Sequence, residues 1–316
     1  MSTILYLSRA DVEALLDVDA LLDGLARAFV AFSSGTTSVP PRVAATVPHA
    51  GLLGAMVGFV PGAGLAAKLV SVFPGNAEAG IPSHQALIAL VDDRDGTPLA
   101  VMDGTYVTAI RTAGAAAVAA RALAREDAKV LAILGAGVQG GTHLETFTRV
   151  RDFAEIRVAS RDGAKAAALA ARHPRARVAA SFEAAVRGAD VVACCTDART
   201  PVLRRSWLKA GAHVSSVGGT FGPELDPDTL AAGRIFVEWR GAATHPPPAG
   251  ACELQGFSVD LLTEVGAVLS GAQPGRRSAD DLTVYKSTGH AMEDVAAARL
   301  VYARARATGA GIELPR

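Results

Sequence analysis

The chain has 316 residues, half of them apolar, which is enough for two domains with cores of their own, and its 31 basic residues are matched by 31 acidic ones. Without a basic excess there is no electrostatic footprint for nucleic acid or an anionic membrane surface. The three cysteines, Cys194, Cys195 and Cys252, form neither a metal-binding spacing nor an even disulfide framework, which points to a reducing, cytoplasmic setting.

Residues 1–10 lack the basic start and long apolar middle of a signal peptide. Residues 43–67 are long enough to span a bilayer, but Pro48, Pro61 and five glycines rule out one continuous helix, so a soluble protein is expected. Ser8-Arg9-Ala10-Asp11 reads as a helix cap ahead of Val12, Leu15 and Leu16. Residues 17–33 then repeat apolar side chains at helical spacing (Leu21, Leu22, Leu25, Phe29, Val30) and close at Gly35. Between residues 39 and 100 the texture changes to short apolar runs broken by Gly and Pro: GLLGAMVGFV, LAAKLVSVF and HQALIALVDD. These suit an antiparallel or mixed sheet, with Asp95-Gly96 as a hairpin turn.

Residues 108–123 form an alanine-rich helix, and beyond it the pattern changes again. Runs such as KVLAIL, EIRVAS, RVAA, DVVACCT, HVSSVGG and RIFVEW alternate with helical or loop segments, which is the signature of an α/β doubly wound parallel sheet. A helix is expected over residues 259–269 and a strand at LTVYKS. A final amphipathic helix runs from His290 to about Thr308 and ends at Gly309.

The run KVLAIL flows directly into Gly135-Ala136-Gly137-Val138-Gln139-Gly140, and residues 138–150 read as a helix. In this strand–turn–helix context a dinucleotide pyrophosphate sits on the unpaired N–H groups of the helix start. Gly135 allows the tight turn, Gly137 the close approach of the ligand, and Gly140 the packing of helix on strand. About 25 residues past Gly135, where an acid would bind the ribose hydroxyl of NAD, stands Ser160-Arg161; Asp162 comes two places late. Arg161 favours the 2′-phosphate of NADP, with NAD as the alternative.

Arg111 falls within or just ahead of the first turn of the alanine-rich helix. There it is either a solvated surface charge or an anion anchor working with the free N–H groups. Lys68, in the middle of an apolar strand pattern, is either on a wet face or buried as a general acid. Arg42 lies on an extended stretch after Pro40-Pro41, and His84 reads as a loop histidine. No H-E-x-x-H, C-x-x-C or paired-carboxylate arrangement suggests a metal or a hydrolase.

With these residues in hand, the sequence resembles the ornithine cyclodeaminase/mu-crystallin family. The resemblance rests on Ala67-Lys68, on the runs IPSHQA (residues 81–86), LAVMDG (99–104), TAIRTA (108–113) and LGAGVQ (134–139), and on KSTGHAMED (286–294). The P-S-H-Q-A, L-A-V-M-D-G and L-G-A-G-V-Q runs are most like the ketimine reductase branch. The resemblance implies a homodimer in which residues 1–112 with 291–316 form a smaller α+β substrate-binding and dimerisation domain around a Rossmann dinucleotide-binding domain, residues 113–290. It implies that Arg42, Lys68 and Arg111 line the substrate pocket and hold an amino-acid carboxylate, with Lys68 as proton donor or acceptor. Thr112, Gly137, Val138, Gln139, Ser160 and Arg161 would hold the cofactor.

Two departures bear on the reaction. The cyclodeaminase branch carries an acid two places before the position of Met56, where this chain has Gly54. It also carries an aspartate after a Gly-Gly pair, where Gly218-Gly219 here leads to Thr220 and a short loop, residues 221–224. The resemblance therefore implies a substrate pocket of two arginines, one lysine and Thr220, lacking the two carboxylates of the cyclodeaminase branch. Such a pocket suits an NAD(P)H-dependent reductase of small imino acids, or in reverse an amino-acid dehydrogenase. The alternatives are an NAD-dependent ornithine cyclodeaminase and a non-catalytic binding protein that keeps the nucleotide site.

Overall fold

The computed structural model describes residues 3–220 and 222–316; Met1, Ser2 and Phe221, on which the N-terminal reading and the loop after Thr220 partly rest, lie outside them. The first half of the chain runs β1 (Thr3–Leu7), α1 (Arg9–Leu15), α2 (Val18–Ser33), β2 (Val43–Val47), β3 (Gly51–Val60), β4 (Gly64–Val72), β5 (His84–Val91), β6 (Pro98–Asp103) and α3 (Gly104–Leu123). It continues with β7 (Val130–Leu134), α4 (Val138–Val150), β8 (Glu155–Ala159), α5 (Gly163–Ala170), β9 (Ala176–Val178), α6 (Phe182–Val186), β10 (Val191–Cys194) and β11 (His213–Ser216). The remainder is α7 (Pro227–Ala232), β12 (Arg234–Val237), β13 (Leu262–Glu264), α8 (Val265–Leu269), β14 (Thr283–Lys286), α9 (Ala291–Thr308) and β15 (Ile312–Pro315). The chain divides into two compact units, Met1–Arg111 with His290–Arg316, and Thr112–Gly289.

In the first unit a seven-stranded sheet has the order β15-β1-β6-β5-β4-β3-β2, antiparallel except for the β1–β6 pair. Period-two alternation buries one face: Leu52, Met56 and Val60 of β3, Ala66, Lys68 and Val70 of β4, and Ile88 and Leu90 of β5. Helix α9 covers this face, with Ala291 packed among Met56, Val70 and Ala86. Gly58 permits the close approach, since a Cβ there would sit 3.4 Å from that of Ala291. Each fully buried Met, Leu, Ile or Val on this face contributes about 1.5–3 kcal/mol. The opposite face carries Leu53, Val57, Leu69 and Leu87, each about half exposed.

The local sequence signals explain the helix ends. Ser8 caps α1 in a reciprocal box with Asp11, Asp17 caps α2 through the N–H of Ala20, and Gly309 closes α9 in the left-handed conformation. Four expectations need correction. Helix α3 begins at Gly104 rather than near Thr108, because Asp103 accepts the N–H of Tyr106 and caps it directly off β6. Residues 259–269 are a 3₁₀ turn, strand β13 and the short helix α8, since β13 pairs with β12. Helix α9 is amphipathic only in its second half; residues 291–298 are buried all round. His84, expected in a loop, opens β5 and is exposed.

The second unit holds an eight-stranded, wholly parallel sheet in the order β13-β12-β14-β11-β10-β7-β8-β9. From β7 the chain steps outward to β8 and β9, then returns past β7 to β10 and β11. Right-handed crossovers in these two directions place helices on opposite faces, the doubly wound arrangement expected from the sequence. The order reverses between β7 and β10, so the glycine turn after Leu134 opens at the switch point, where such sheets bind their ligands. All four residues of β10, β11 and β14 are buried. His213 in β11 is satisfied inside this core by the hydroxyls of Thr283 (2.9 Å) and Ser215 (3.1 Å). Burial above all, with help from Arg276 and Arg151, lowers its pKa to about 3, so it is neutral and structural.

Candidate active site

Strand register places Lys68 opposite Met56 on one side and Ile88 on the other, at the centre of the covered apolar face. Its side chain is 1% exposed and donates from Nζ to Asp294 Oδ1 at 2.8 Å. Arg111 donates from Nε to the same oxygen at 3.0 Å, and from a terminal nitrogen to Glu293 Oε2 at 2.6 Å. The other Glu293 oxygen accepts the N–H of His290 at 3.0 Å, closing the first turn of α9. Acids are favoured in that turn by the helix dipole, so the fold of α9 itself presents two adjacent carboxylates to the two cations. Asp294 Oδ2 is buried and has no hydrogen-bond partner among the described residues.

Desolvation dominates the electrostatics of this cluster. Burial lowers the Lys68 pKa to about 7; Arg111 and Arg42 push it the same way, and Asp294 opposes them. Burial pushes Asp294 up, but Arg111 and Lys68, with Arg42, outweigh it and hold the carboxyl below its usual range. His290 packs edge-on to Phe32 with ring centroids 5.0 Å apart. Burial, with Arg42 next, lowers its pKa to about 3 and keeps it neutral. Arg42, half-buried just ahead of β2, thus lies within electrostatic reach of Lys68, Asp294 and His290.

The structure therefore brings Arg42, Lys68 and Arg111 together, and corrects one expectation about them. Arg111 lies about two turns inside α3, not at its start, so helix N–H groups cannot share an anion with it. The sequence reading did not single out the two carboxylates that hold these cations: Asp294 binds both, and Glu293 binds Arg111. Their signal was present in the adjacent acids at the start of the last helix, but acids in a first turn are ordinary capping residues until the sheet beneath is known.

In the second unit Gly135 adopts φ 105°, and a Cβ there would lie 2.5 Å from the Cys195 carbonyl. A Cβ on Gly140 would lie 2.2 Å from the Gly135 carbonyl, so α4 can pack on the turn only through glycine. Gly137 is the N-cap of α4, is exposed, and its Cβ would meet nothing within 4 Å. An open approach thus leads to the first N–H groups of a 13-residue helix, a cradle that fits a dinucleotide pyrophosphate. Val138 is 73% exposed at its edge and Gln139 is half-buried, its carbonyl accepting from His143 Nδ1 at 2.7 Å.

Beyond β8, the Ser160 hydroxyl accepts the N–H of Asp162, and Asp162 in turn caps α5 by accepting the N–H of Lys165 at 3.1 Å. Arg161 extends into solvent, 3.5 Å from the equally exposed Asp197. Thr112 is buried in α3. Thr220 is exposed in the loop after β11, in the other unit from Lys68. The preceding glycines are tied down: Gly218 donates its N–H to Glu224, and its carbonyl accepts from Lys286 Nζ at 2.7 Å. Among the described residues no group of three or more His, Cys, Asp or Glu could hold a metal ion, and no helix is long and apolar enough to cross a membrane.

A parallel sheet that reverses at a glycine turn in one unit, and a lysine buried among an arginine and two carboxylates in the other, define a dinucleotide-binding α/β protein with a further α+β unit. The profile of the ornithine cyclodeaminase/mu-crystallin family matches residues 3–309, and the chain belongs to that family. It is 38% identical to the mouse (Mus musculus) ketimine reductase mu-crystallin over 306 residues, covering 94% of this chain and 96% of that one. Among solved structures, it is similar to the Thermococcus litoralis Δ1-pyrroline-2-carboxylate reductase in complex with NADH and L-proline (TM-score 0.92, 31% identity, 98% and 100% of the two chains). It is also similar to an archaeal alanine dehydrogenase dimer with bound NAD (TM-score 0.90, 30% identity, 99% of each chain).

Proposed function

We propose that the chain is an NADP-preferring reductase of small imino acids, of which cyclic ketimine carboxylates are the leading class, and in reverse an amino-acid dehydrogenase. The observation that carries this reading is the burial of Lys68 beside Arg111 on the covered face of the first unit. A lysine with its pKa lowered to about 7 can both give and take a proton at neutral pH, whereas a solvated lysine would only hold one. Arg111 and Arg42 hold the substrate carboxylate, Thr220 offers the substrate a hydroxyl, and Lys68 protonates the imine nitrogen. The dinucleotide, when bound, supplies the hydride that reduces the imine carbon. The carbon–nitrogen double bond becomes single, and Lys68, left neutral, regains its proton from solvent.

In the same reading the first unit is the substrate and dimerisation domain and the second the dinucleotide domain, with Thr112, Gly135, Gly137, Val138, Gln139, Ser160 and Arg161 around the cofactor. The preference for NADP is supported by Arg161, and by the engagement of Asp162 as a helix cap, which keeps that acid from the ribose. A homodimer is supported by the row Leu53, Val57, Leu69 and Leu87 on the uncovered sheet face, too large an apolar display for a lone subunit, and by the dimeric alanine dehydrogenase relative. The free cysteines Cys194, Cys195 and Cys252 suit the cytoplasm.

The test is cofactor oxidation with a panel of cyclic ketimine carboxylates and of 2-oxo acids with amines, run beside L-ornithine with NAD. Stoichiometric NADPH loss with a ketimine, absent in Lys68→Met, is the expected result. Proline and ammonia formed from ornithine without net cofactor change would replace it with cyclodeamination. Ligand binding without turnover of any substrate would replace it with a binding protein.

A further inference from the structure

The mechanism just given uses Lys68, Arg111 and Arg42 and assigns nothing to Asp294, although both of the first two close on it. Its Oδ1 accepts Lys68 Nζ at 2.8 Å and Arg111 Nε at 3.0 Å, so one oxygen fixes the separation of two side chains that come from β4 and α3. The carboxylate is itself held from behind. It sits in the first turn of α9, whose start is pinned by Glu293, one oxygen on the His290 N–H and the other on Arg111. Asp294 is 1% exposed, and residues 291–298 around it are all buried.

Resting on the reductase reading, we propose that Asp294 is the positioning residue of the reaction, holding the proton donor Lys68 and the carboxylate anchor Arg111 at one fixed spacing. A substrate that binds through its carboxylate then presents its nitrogen, one carbon away, at a set distance from the ammonium. A larger gap between anchor and donor would leave binding intact and lose proton transfer. The charged groups acting on Lys68 are Asp294 in the first turn of α9, Arg111 of α3 and Arg42 ahead of β2; Glu293 and His290 lie in the same first turn as Asp294, and the adjoining strand positions, Met56 and Ile88, are apolar. His290 is neutral at working pH, and the two arginines disfavour the charged lysine. Asp294 is therefore the group that keeps Lys68 protonated near neutrality as well as in place.

The experiment uses two variants and two readouts. Asp294→Asn keeps the shape and removes the charge; Asp294→Glu keeps the charge and lengthens the arm by one methylene. The first readout is the titration of Lys68 itself, followed by NMR of ¹³C-labelled lysine in the full-length protein. Only five lysines occur, Lys68, Lys129, Lys165, Lys209 and Lys286, so Lys68→Met assigns the signal. The second is kcat and KM for pyrroline-2-carboxylate with NADPH, alongside the dissociation constant for NADPH.

Asp294→Asn is expected to lower the Lys68 midpoint by one pH unit or more. Asp294→Glu is expected to leave the midpoint near its starting value but to lower kcat at least tenfold, with NADPH affinity unchanged in both. The proposal is overturned if Asp294→Asn leaves the midpoint where it was, or if Asp294→Glu retains full kcat. Should Asp294→Asn not fold, Asp294→Glu still decides: unchanged kcat overturns the proposal and a selective loss supports it. If the unmodified protein turns over no imine, the reductase reading fails on its own, while the Lys68 titration still reports whether Asp294 holds the lysine's charge.

Discussion

If Lys68 gives the proton, the pH profile of reduction carries its signature. Burial, reinforced by Arg111, brings its pKa to about 7 from 10.5. Reduction needs the charged lysine, so kcat/KM should be level below that value and fall about tenfold per pH unit above it. A solvated lysine would sustain full activity to about pH 9–10. Amino-acid oxidation needs the neutral form and should rise through the same pH. His290, with a pKa of about 3, is neutral throughout and contributes no limb. Imines also titrate, so the profile should be taken with two ketimines of different basicity; a limb that belongs to Lys68 stays in place when the substrate changes. Folding provides an independent check. The folded pKa is depressed, so between about pH 7 and 10 the unfolded chain binds more protons and stability rises with pH. The full change is about 5 kcal/mol. Urea midpoints measured across this window should climb in the parent protein and lose that part of the slope in Lys68→Met. A kinetic limb found only near pH 10, with the same urea slope in both proteins, would refute the assignment.

Three further outcomes follow from the geometry. Gly137→Ala should fold normally but bind NADPH about tenfold or more weakly, because its methyl points into the ligand's approach, whereas Gly140→Ala should lower the melting temperature by several degrees through its collision with the Gly135 carbonyl. Calorimetry of the two variants separates these effects, and equal behaviour would contradict the cradle. Arg161→Asp should reverse the cofactor preference. The parent's advantage for NADPH should be about 1.5 kcal/mol, the low end for a charged hydrogen bond because Arg161 is so exposed, and paired titrations with NADH and NADPH measure it. Leu69→Asp, on the uncovered sheet face, should convert a dimer to a monomer in light scattering; a parent protein that is already monomeric would remove the proposed interface.

What could be read from the sequence was what is written locally. The glycine turn, the strand before it and helix α4 after it are contiguous, and each demands residue types that few other structures need at that spacing. The alternation in β3, β4 and β5 is equally local, and it placed Lys68 on a sheet without saying which face was covered. The partner that answers the question, Asp294, lies 226 residues further on, and only the packing of α9 over β4 brings it there. Arg111 was misplaced in its helix for a similar reason. The start of α3 is set by Asp103, which reads as the last residue of a strand and only in three dimensions as a cap. The helix expected at residues 259–269 failed because pairing with β12 overrode an apolar run whose period was ambiguous.

The position of Lys68 on the covered face has a consequence for the order in which the chain is made. On the ribosome β3, β4 and β5 emerge early, with a lysine in the centre of an otherwise apolar surface and no carboxylate opposite it. The helix that covers this surface begins only at residue 291 and brings the lysine's counter-charge with it. Until then the hairpins gain little from the native register: a slip of one residue in β4 would turn Leu69 inward and release Lys68 to water. The parallel-sheet unit, contiguous from Thr112 to Gly289, can complete its core while the N-terminal segment waits. A nascent chain stalled before His290 should therefore hold a protease-resistant second unit behind a labile N-terminal sheet.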